Sequence, residues 1–536
     1  YLLGSYEQNE DGSYSYTTNR VGNEVSTDLN STNETAGDRR IYLEAMVDYN
    51  RTFGRHDVNA MLLYNQDELV NNVPGNNLIN SLPKRKQGLA GRLSYAYDGK
   101  YMAEVNMGYN GSENFAKGHR WGFFPSIALG YNISEESFFE PLRKVITSMK
   151  LRGSWGLVGN DQIGGERFIY MPTINLSGKG FTTGIDQNYG LSGPVYTRYE
   201  NNSITWEVGE KINLGIDLQL LNSLNIVVDI FRETRRDIFQ KKGTIPTYLG
   251  TGNTDVFGNL AEMKNQGLDL SIDYNKAFSK DFYMNFKGTF TYAHNEITKY
   301  DEAPKYAFQS KVGQSANVSQ GYLSNGLFLD EAEIDRYNQQ MGSTLGAGDI
   351  KYLNVSNMHG YGDDIVDVDD WTWIGNPTVP EIVYGFGPSF KYKNWDFSFF
   401  FQGVAKTSLF MSGFHPFGDN SLRNVLQFVA NDRWSPTNQN VDAKYPRLTR
   451  KTSLNNTNPG NSGRTSDYWM RDGSFLKLKN MELGYTFKRM RFYISGSNLL
   501  TFSKFDLWDP EQGGGSGLKY PTQRVFNVGF QMTFNN

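Results

Sequence analysis

The residues of this chain that are best suited to chemistry are closely spaced aspartates. In the stretch GDDIVDVDDW, at 362–371, Asp363, Asp367 and Asp369 lie near one another along the chain. Carboxylate oxygens of this kind hold hard cations such as calcium. The ligand pattern is incomplete, so a solvated acidic loop is the alternative interpretation. We treat the three aspartates as candidate ligands of a structural calcium ion, and we predict no other cofactor.

The remaining sequence gives no support for catalysis. Cysteine is absent, which excludes thiolate nucleophiles and thiolate metal sites. The glycine run GGGSG at 513–517 lacks the Lys-Ser/Thr that follows in a phosphate-binding loop, so we interpret it as a flexible loop. No two histidines form an i, i+4 ligand pair. The five histidines are His56, His119, His294, His359 and His415. We therefore predict that the chain is not an enzyme.

Aromatic side chains in the long connections are the candidate substrate-binding residues. Sugar rings present apolar C–H faces that stack on aromatic rings, and loops on a rigid scaffold commonly carry recognition. For each of these residues the alternative interpretation is that the ring packs its loop onto a neighbour. The candidates are Tyr361, Trp371, Trp373, Phe414, Phe417 and Trp434.

The elements that must position these residues are β-strands. In NLGIDLQL (213–220) and LDLSIDYN (268–275), apolar residues alternate strictly with polar ones. This alternation is typical of a strand whose two faces meet different surroundings. No run of about 18 apolar residues is present, which excludes a transmembrane helix. The sequence therefore predicts an all-β fold.

Short and long connections alternate between the predicted strands. The first strands lie near 38–51, 55–70, 87–98 and 100–113, and further tight joints fall at 220–225, 277–281, 391–395 and 487–491. The long connections lie at roughly 70–87, 159–207, 235–263, 297–379, 407–473 and 500–521. An up-and-down antiparallel outer-membrane barrel has short turns on the periplasmic side and long extracellular loops. We therefore predict a transmembrane β-barrel with about 15 or 16 strands in this chain.

The last strand, within RVFNVGFQMTFNN at 524–536, carries a further signal. One face is apolar and the other polar, so we expect the first to touch lipid and the second to line a lumen. Its spacing, polar-x-Gly-x-x-apolar-x-aromatic, resembles the C-terminal signal read by the outer-membrane barrel assembly machinery. The residues in that pattern are Asn527, Gly529, Met532 and Phe534.

Several long stretches resemble the SusC/RagA family of TonB-dependent transporters of Bacteroidetes. They occur in family order from about residue 40 to the C-terminus. The matching stretches include RWGFFPSIALGYNISEESFF (120–139), LRGSWGLVGN (151–160), NNSITWEVGEKINLGIDLQLLN (201–222) and SGSNLLTFSKFDLWDPE (495–511). On these residues the chain is identified as similar to that family over nearly its whole length.

The resemblance implies a 22-stranded, multi-pass barrel in the bacterial outer membrane, surrounded by lipid and filled by an N-terminal plug. The TonB–ExbB–ExbD complex would act on the plug, and a SusD-like surface lipoprotein would cover the long loops. Residues 1–536 would then be the C-terminal part of the barrel, with the plug and first strands in another segment. The strand count agrees, because the last strand of a barrel needs an antiparallel partner that this chain does not supply.

The function that these observations favour is import of oligosaccharides without covalent chemistry. Import of oligopeptides by the same mechanism is the nearest alternative. A surface-exposed barrel enzyme, such as a protease or lipase, is an alternative of another class, as is a soluble lectin-like β protein. The net charge of −4 gives no indication of a nucleic-acid partner.

Overall fold

A computed structural model describes residues 2–20, 35–74, 78–246, 248, 255–337, 345–361, 364–412, 425–448 and 465–534. Contact clustering divides the chain into two compact units. One comprises the described residues of 1–41 and 67–84, and the other those of 42–66 and 85–536. In the smaller unit, Arg40 Nε donates to Asp67 Oδ1 at 2.7 Å. In the described parts of the chain, no helix combines the length and the apolar character needed to cross a membrane.

Strands dominate the described residues, as the alternating pattern predicts. They are β1 Leu2–Gln8, β2 Tyr14–Arg20, β3 Asp38–Phe53, β4 His56–Asn71, β5 Lys84–Tyr97, β6 Tyr101–Ser112, β7 Trp121–Asn132, β8 Ile146–Asn160, β9 Thr173–Thr183, β10 Tyr189–Arg198, β11 Glu207–Leu220, β12 Leu224–Lys241, β13 Phe257–Ala277, β14 Phe282–Lys299, β15 Ser319–Gly321, β16 Ser324–Leu327, β17 Ile350–Tyr352, β18 Thr372–Ile374, β19 Ile382–Tyr392, β20 Trp395–Ala405, β21 Ser408–Phe410, β22 Met470–Asp472, β23 Phe475–Phe487, β24 Met490–Ser503 and β25 Val525–Met532. The short helices are α1 Leu78–Ser81, α2 Glu331–Arg336, α3 Val355–Met358 and α4 Gln427–Asn431.

One large sheet organises the chain. It contains 15 strands in the order β25-β24-β23-β20-β19-β14-β13-β12-β11-β8-β7-β6-β5-β4-β3. Leaving aside the strands that lie inside the long connections, neighbours in the sheet are neighbours in sequence, and the pairs with a defined register are antiparallel. This up-and-down arrangement confirms the predicted all-β class and the predicted number of strands.

The register keeps one face of the sheet apolar and the other polar. Side chains point alternately to opposite faces of a strand, so residues paired across strands share a face. An apolar row crosses four strands through Leu214, Ile230, Leu268 and Tyr292. The adjacent polar row runs through Gly215, Asp229, Asp269 and Thr291. We call these the apolar face and the polar face of the sheet.

The predicted tight joints at 220–225, 277–281, 391–395 and 487–491 are confirmed as turns between sheet strands, as are the short joints after the strands predicted near 38–51 and 87–98. Residues in the left-handed region make several of them, because a two- or three-residue reversal requires positive φ. Examples are Gly54 (φ 61°), Asp98 (φ 55°), Lys393 (φ 51°) and Lys488 (φ 55°).

Two connections differ from the simple alternation of lengths. Residues 133–145, between β7 and β8, form two 3₁₀ helices, Ile133–Glu135 and Ser137–Leu142, whereas the preceding loop at 113–120 is shorter. Arg143 Nε donates to the Ser134 carbonyl at 2.7 Å and stabilises this longer turn internally.

The loop predicted at 235–263 is shorter in the structure, because β12 extends to Lys241 and β13 begins at Phe257. A bulge in β12 and a stack of Phe239 on Phe257, with centroids 4.9 Å apart, continue the pairing beyond the charged RETRRD stretch.

The long connections contain structure of their own. Strands β9 and β10 form a hairpin within 161–206. Strands β15 and β18, and strands β16 and β17, pair within 300–381. Strands β21 and β22 pair across the connection 406–474. These small sheets position the loop residues considered next.

Candidate functional site

The polar face of the sheet carries networks of opposite charges. Arg152 Nη2 donates to Asp217 Oδ1 at 2.8 Å and to Asp229 Oδ2 at 3.0 Å, so one guanidinium joins β8, β11 and β12. Gly215 lies beneath it, and a Cβ there would meet Arg152 Nη2 at 2.7 Å. The glycine therefore makes room for the arginine to lie flat across the strands.

A second network repeats this arrangement farther along the sheet. Arg491 Nε donates to Asp396 Oδ2 at 3.0 Å, and Arg491 Nη2 donates to Glu482 Oε1 at 2.6 Å. Gly484 occupies the position below, where a Cβ would meet Arg491 Nη2 at 2.6 Å. Charged groups of the polar face are thus half-buried and paired with one another, as suits a surface that meets water rather than lipid.

Three connections, 300–381, 406–474 and 504–524, share one hydrophobic core, and we call their described residues the loop lobe. Its buried members come from all three segments, so no segment builds the core alone. The core residues are Tyr322, Leu327, Ile350, Tyr352, Val366, Leu409, Met411, Val429, Trp434, Ala443, Tyr445, Trp469 and Phe505. Burial also raises the pKa of the Tyr468 hydroxyl, which packs against this core and donates to the Ala443 carbonyl.

A buried ion pair joins two of the three segments. Asp349 is fully buried, and its Oδ2 accepts from Arg447 Nη2 at 3.0 Å. The backbone N–H of Arg447 also donates to the Gly348 carbonyl at 2.9 Å. The loop lobe therefore has a fixed internal connection as well as a hydrophobic core.

Two of the predicted binding tryptophans lie in or against the lobe core. Trp434 is 5% exposed and packs over Gly348. Trp371 packs against the core, with its ring edge-on to Tyr322 at a centroid distance of 5.8 Å. The packing interpretation accounts for both rings in this structure.

Trp373 and Tyr361 lie outside that core. Trp373 is half-buried. Its Nε1 donates to the Ser310 carbonyl at 2.8 Å, in the segment that precedes β15. Tyr361 is 47% exposed and lies 4.2 Å from Tyr306, measured between ring centroids. Phe414 and Phe417 fall outside the described residues. A role of any of these rings in substrate binding stays a prediction.

Tyr361 belongs to a surface group of rings, which we call the aromatic ladder, together with Tyr306, Phe308 and His359, and of these only Tyr361 is predicted from the sequence as a binding residue. Phe308 stacks on His359 at 4.7 Å and on Tyr306 at 5.5 Å, each with an interplanar angle of 14°. His359 and Tyr361 are exposed, and Phe308 is half-buried. YAF at 306–308 and HGY at 359–361 are short and far apart in sequence, so no periodic pattern links them.

The predicted calcium ligands meet protein donors in this structure. Asp367 caps the 3₁₀ helix Val368–Asp370 by accepting from the backbone N–H of Asp369 at 2.7 Å. The Asp369 carboxylate pairs with the Lys305 ammonium. Asp363 falls outside the described residues, and within those residues there is no group of three or more His, Asp or Glu arranged to hold a metal. Calcium binding stays a prediction.

A buried lysine fixes the connection between β24 and β25. Lys477, on the polar face of β23, is fully buried and donates to Asp509 Oδ2 at 2.5 Å and to Glu511 Oε2 at 2.7 Å. Burial raises the pKa of the Asp509 and Glu511 carboxyls, but it is outweighed by the combined effect of Lys477 and the other partners, which are the Glu511 backbone N–H and Thr522 for Asp509 and Lys479 for Glu511. Both pKa values therefore lie below the ordinary value. Lys479 adds a second ammonium, 2.8 Å from Glu511 Oε1.

The last strand places its predicted assembly residues on two faces. Asn527 and Gly529 lie on the polar face, paired with Ser495 and Tyr493, whereas Met532 lies on the apolar face, paired with Met490. A Cβ at Gly529 would meet the Tyr493 ring at 2.1 Å, which explains the glycine. Phe534 follows the strand and is 80% exposed. Recognition of these residues by an assembly machinery stays a prediction.

The fold and the divided faces match a known family. The model of the family described as TonB dependent receptor-like, beta-barrel matches residues 2–499, and the chain belongs to this family. TonB-dependent receptor SusC of Bacteroides thetaiotaomicron is 28% identical over 471 residues, which cover 83% of this chain and 43% of that protein. TonB-dependent receptor P3 of Formosa agariphila is 25% identical in a match that covers 96% of this chain and 54% of that protein.

Solved structures give the same fold. The structure of the RagAB peptide transporter matches with a TM-score of 0.68 and 20% identity, covering 93% of this chain and 56% of that chain. The chain spans about half the length of the relatives that it matches. The predicted resemblance to the SusC/RagA group of TonB-dependent receptors is thereby confirmed.

Proposed function

We propose that this chain forms the C-terminal part of an outer-membrane transporter that imports oligosaccharides. Membership of the TonB-dependent receptor family and the sheet with one apolar and one polar face support a barrel that crosses the outer membrane. The plug and first strands belong to another segment, on which the TonB–ExbB–ExbD complex acts. Transport on this scheme needs no covalent chemistry by the chain.

The observation that carries the choice of oligosaccharides is the aromatic ladder. The 47% exposed ring of Tyr361, supported by the stacked rings of Tyr306, Phe308 and His359, offers an apolar surface next to tyrosine hydroxyls. Such a surface matches the C–H faces and hydroxyls of sugar rings. The ladder belongs to the loop lobe, and we propose that a SusD-like surface lipoprotein covers the lobe when substrate is captured. We also propose a structural calcium ion with Asp363, Asp367 and Asp369 as ligands.

Growth of the native host on defined substrates tests this function. A strain that lacks the gene is complemented with the full-length receptor or with its Phe308→Ala and Tyr361→Ala variants. Tyr189→Ala, an exposed tyrosine of β10, is the matched control. We expect loss of growth on at least one glycan in the deletion strain. Because a stacked ring contributes about 0.5–1.5 kcal/mol, we expect roughly 2- to 10-fold weaker uptake of that glycan in the ladder variants.

A different pattern of growth on these substrates would contradict the proposal. Undiminished growth of the deletion strain on every glycan, with a defect on oligopeptides, would assign peptide import instead. RagAB, which shares the fold, is described as a peptide transporter. At 20% identity this similarity shows only a shared fold. The identity of the substrate must therefore be decided by the growth experiment.

A further inference from the structure

A pocket of about 390 Å³ lies where the polar face of the sheet meets the loop lobe. This volume falls in the range of ligand-binding pockets. Its floor is the polar face of β20, where Gln402 pairs with Lys477 and Val404 pairs with Phe475 of β23. The other walls come from β21 and from the connection between β24 and β25. The lining includes Thr378, Pro380, Gln402, Val404, Thr407, Ser408, Leu409, Phe410, Ser412, Gly473, Phe475, Pro510, Glu511, Gly513 and Gly514.

The glycine run at 513–517 forms one wall of this pocket. Gly514 approaches the backbone of β21 so closely that a Cβ would meet the Phe410 carbonyl oxygen at 2.4 Å. The next residue, Gly515, donates its N–H to the same oxygen at 2.7 Å and has φ of 120°, which an L side chain rarely adopts. The run that we predict to be a flexible loop therefore has a defined backbone conformation, and its contact with β21 explains why Gly514 and Gly515 are glycines.

The wall beside the glycines is fixed by the buried ammonium of Lys477. Its bonds to Asp509 and Glu511 hold the 3₁₀ helix Pro510–Gln512 against β23. Glu511 therefore presents a carboxylate at the pocket in a set position. The two ammonium groups of Lys477 and Lys479 are both engaged with this acidic pair.

The chemistry of the lining favours an uncharged, hydroxyl-rich ligand. The Gln402 side chain makes no hydrogen bond within the described part of the chain, and it lines the pocket as both donor and acceptor. Val404, Phe410 and Phe475 supply apolar surface. The described lining contains no Lys, Arg or His, and the nearby Lys477 and Lys479 ammonium groups are already paired with Asp509 and Glu511, so an anionic ligand would lack a free counter-ion.

We propose that this pocket binds one neutral sugar unit of the imported oligosaccharide, with Gln402 hydrogen-bonded to its hydroxyls and the half-buried Phe410 against its apolar face. The assignment rests on the proposed import of oligosaccharides and adds the class of sugar. Uronic acids and sulfated sugars are disfavoured at this position because the described lining offers them no free cationic partner.

Calorimetric titration of the purified full-length receptor tests the pocket. The probes are maltoheptaose, cellohexaose and laminarihexaose as neutral glycans, hexagalacturonate as an acidic glycan, and an uncharged octapeptide. Gln402→Ala removes the pocket amide, and Gln402→Trp fills the space. The matched control is Gln219→Ala, on the polar face of β11 and outside the pocket. Heat-modified migration on gels confirms that each variant is folded.

We expect a neutral glycan to bind and its Kd to rise about 3- to 10-fold in Gln402→Ala, the loss that one hydrogen bond predicts. Gln402→Trp should weaken binding further, and Gln219→Ala should not change it. Neutral-glycan binding that is unaffected by both Gln402 variants would overturn the pocket while leaving glycan import standing. Tighter binding of hexagalacturonate through Gln402 would overturn the neutral class. Binding of the peptide alone by the unmodified receptor would instead overturn the proposed function.

Discussion

Arg447 Nη2 donates to Oδ2 of the fully buried Asp349 carboxylate at 3.0 Å, across a separation of 98 residues. The pair joins the connection that follows β14 to the one that follows β20. Each connection would be a long surface loop by itself, with little buried surface of its own. Their joint packing makes the loop lobe a folded unit, and that difference can be measured.

Replacing Arg447 with Met is expected to loosen the lobe. The substitution removes the positive neighbour of a buried carboxylate, a change that costs about 3–5 kcal/mol. Hydrogen exchange of the amides at 346–352 should therefore accelerate strongly in the full-length receptor. Lys444→Ala is the control, since Lys444 and Asp432 form an exposed pair at 3.7 Å that contributes less than about 1 kcal/mol. Equal exchange in the two variants would show that the buried pair does not stabilise the lobe.

Gly348→Ala is expected to destabilise the same lobe through Trp434. Gly348 has φ of 84°, and an added Cβ would meet the Trp434 ring at 2.4 Å. Positive φ costs an alanine about 1–2 kcal/mol, and overpacking adds roughly 1–3 kcal/mol. Gly360→Ala isolates the first effect, because Gly360 has φ of 81° and open space around it. Trypsin cleavage rates of the folded receptor should rise more for Gly348→Ala, and a reversed order would contradict the contact.

Protection of the connection 504–524 is expected to depend on pH. The pKa values of Asp509 and Glu511 are lowered below 3.8 and 4.5, their ordinary values, so their ion pairs stabilise the folded form above those values. That contribution is lost as the pH falls through the lowered pKa values. Exchange of these amides, corrected for intrinsic rates, should therefore be unchanged from about pH 8 to 5 and accelerate below about pH 4.

The Lys477→Met variant serves as the control for this pH dependence. Without this ammonium, Asp509 loses its cationic partner and faces a buried apolar side chain, while Lys479 still pairs with Glu511. Lowering the pH should therefore protect the connection rather than expose it, because protonation removes the unpaired charge of Asp509. A variant profile that follows the unmodified receptor would show that Lys477 does not hold this segment.

Adjacent residues of β25 should respond oppositely to a lysine. Val528 lies on the apolar face and is 88% exposed, whereas Asn527 lies on the polar face. In a barrel that spans the outer membrane, a lysine on the lipid side costs about 2–4 kcal/mol near the midplane. Val528→Lys should reduce the folded receptor recovered from outer membranes, and Asn527→Lys should leave it near normal. Similar recovery of both variants would argue against lipid contact at Val528.

The sheet could be predicted from sequence because each of its strands carries its own signal. In β11 and β13, alternation sets which side chains share a face, and the short turns between strands leave few possible registers. The ends of β12 and β13 are harder to predict from sequence, since charged residues such as Arg235 and Arg236 continue β12 past its apolar run. A polar face tolerates charges throughout, so charge does not mark the end of a strand here.

The loop lobe could not be predicted in the same way. Its strands, such as β15 and β21, are three residues long, too short to show a period. Trp434 and Tyr361 have the same aromatic character in sequence, yet one is buried and the other is on the surface. That difference depends on contacts between distant segments, such as Gly348 with Trp434. The glycine run at 513–517 is likewise explained only by the contact of Gly514 with Phe410, about a hundred residues earlier in the chain.

The shared core of the lobe restricts how such receptors can be recombined. A chimera that received only the connection 406–474 from a relative would bring Trp434 and Trp469 to partners shaped for different side chains. All three connections would have to be transplanted together, although β19, β20, β23 and β24 separate them in the gene. We therefore expect substrate specificity to pass between relatives only when all three connections are exchanged together. A graft of a single connection should leave the loop lobe misfolded.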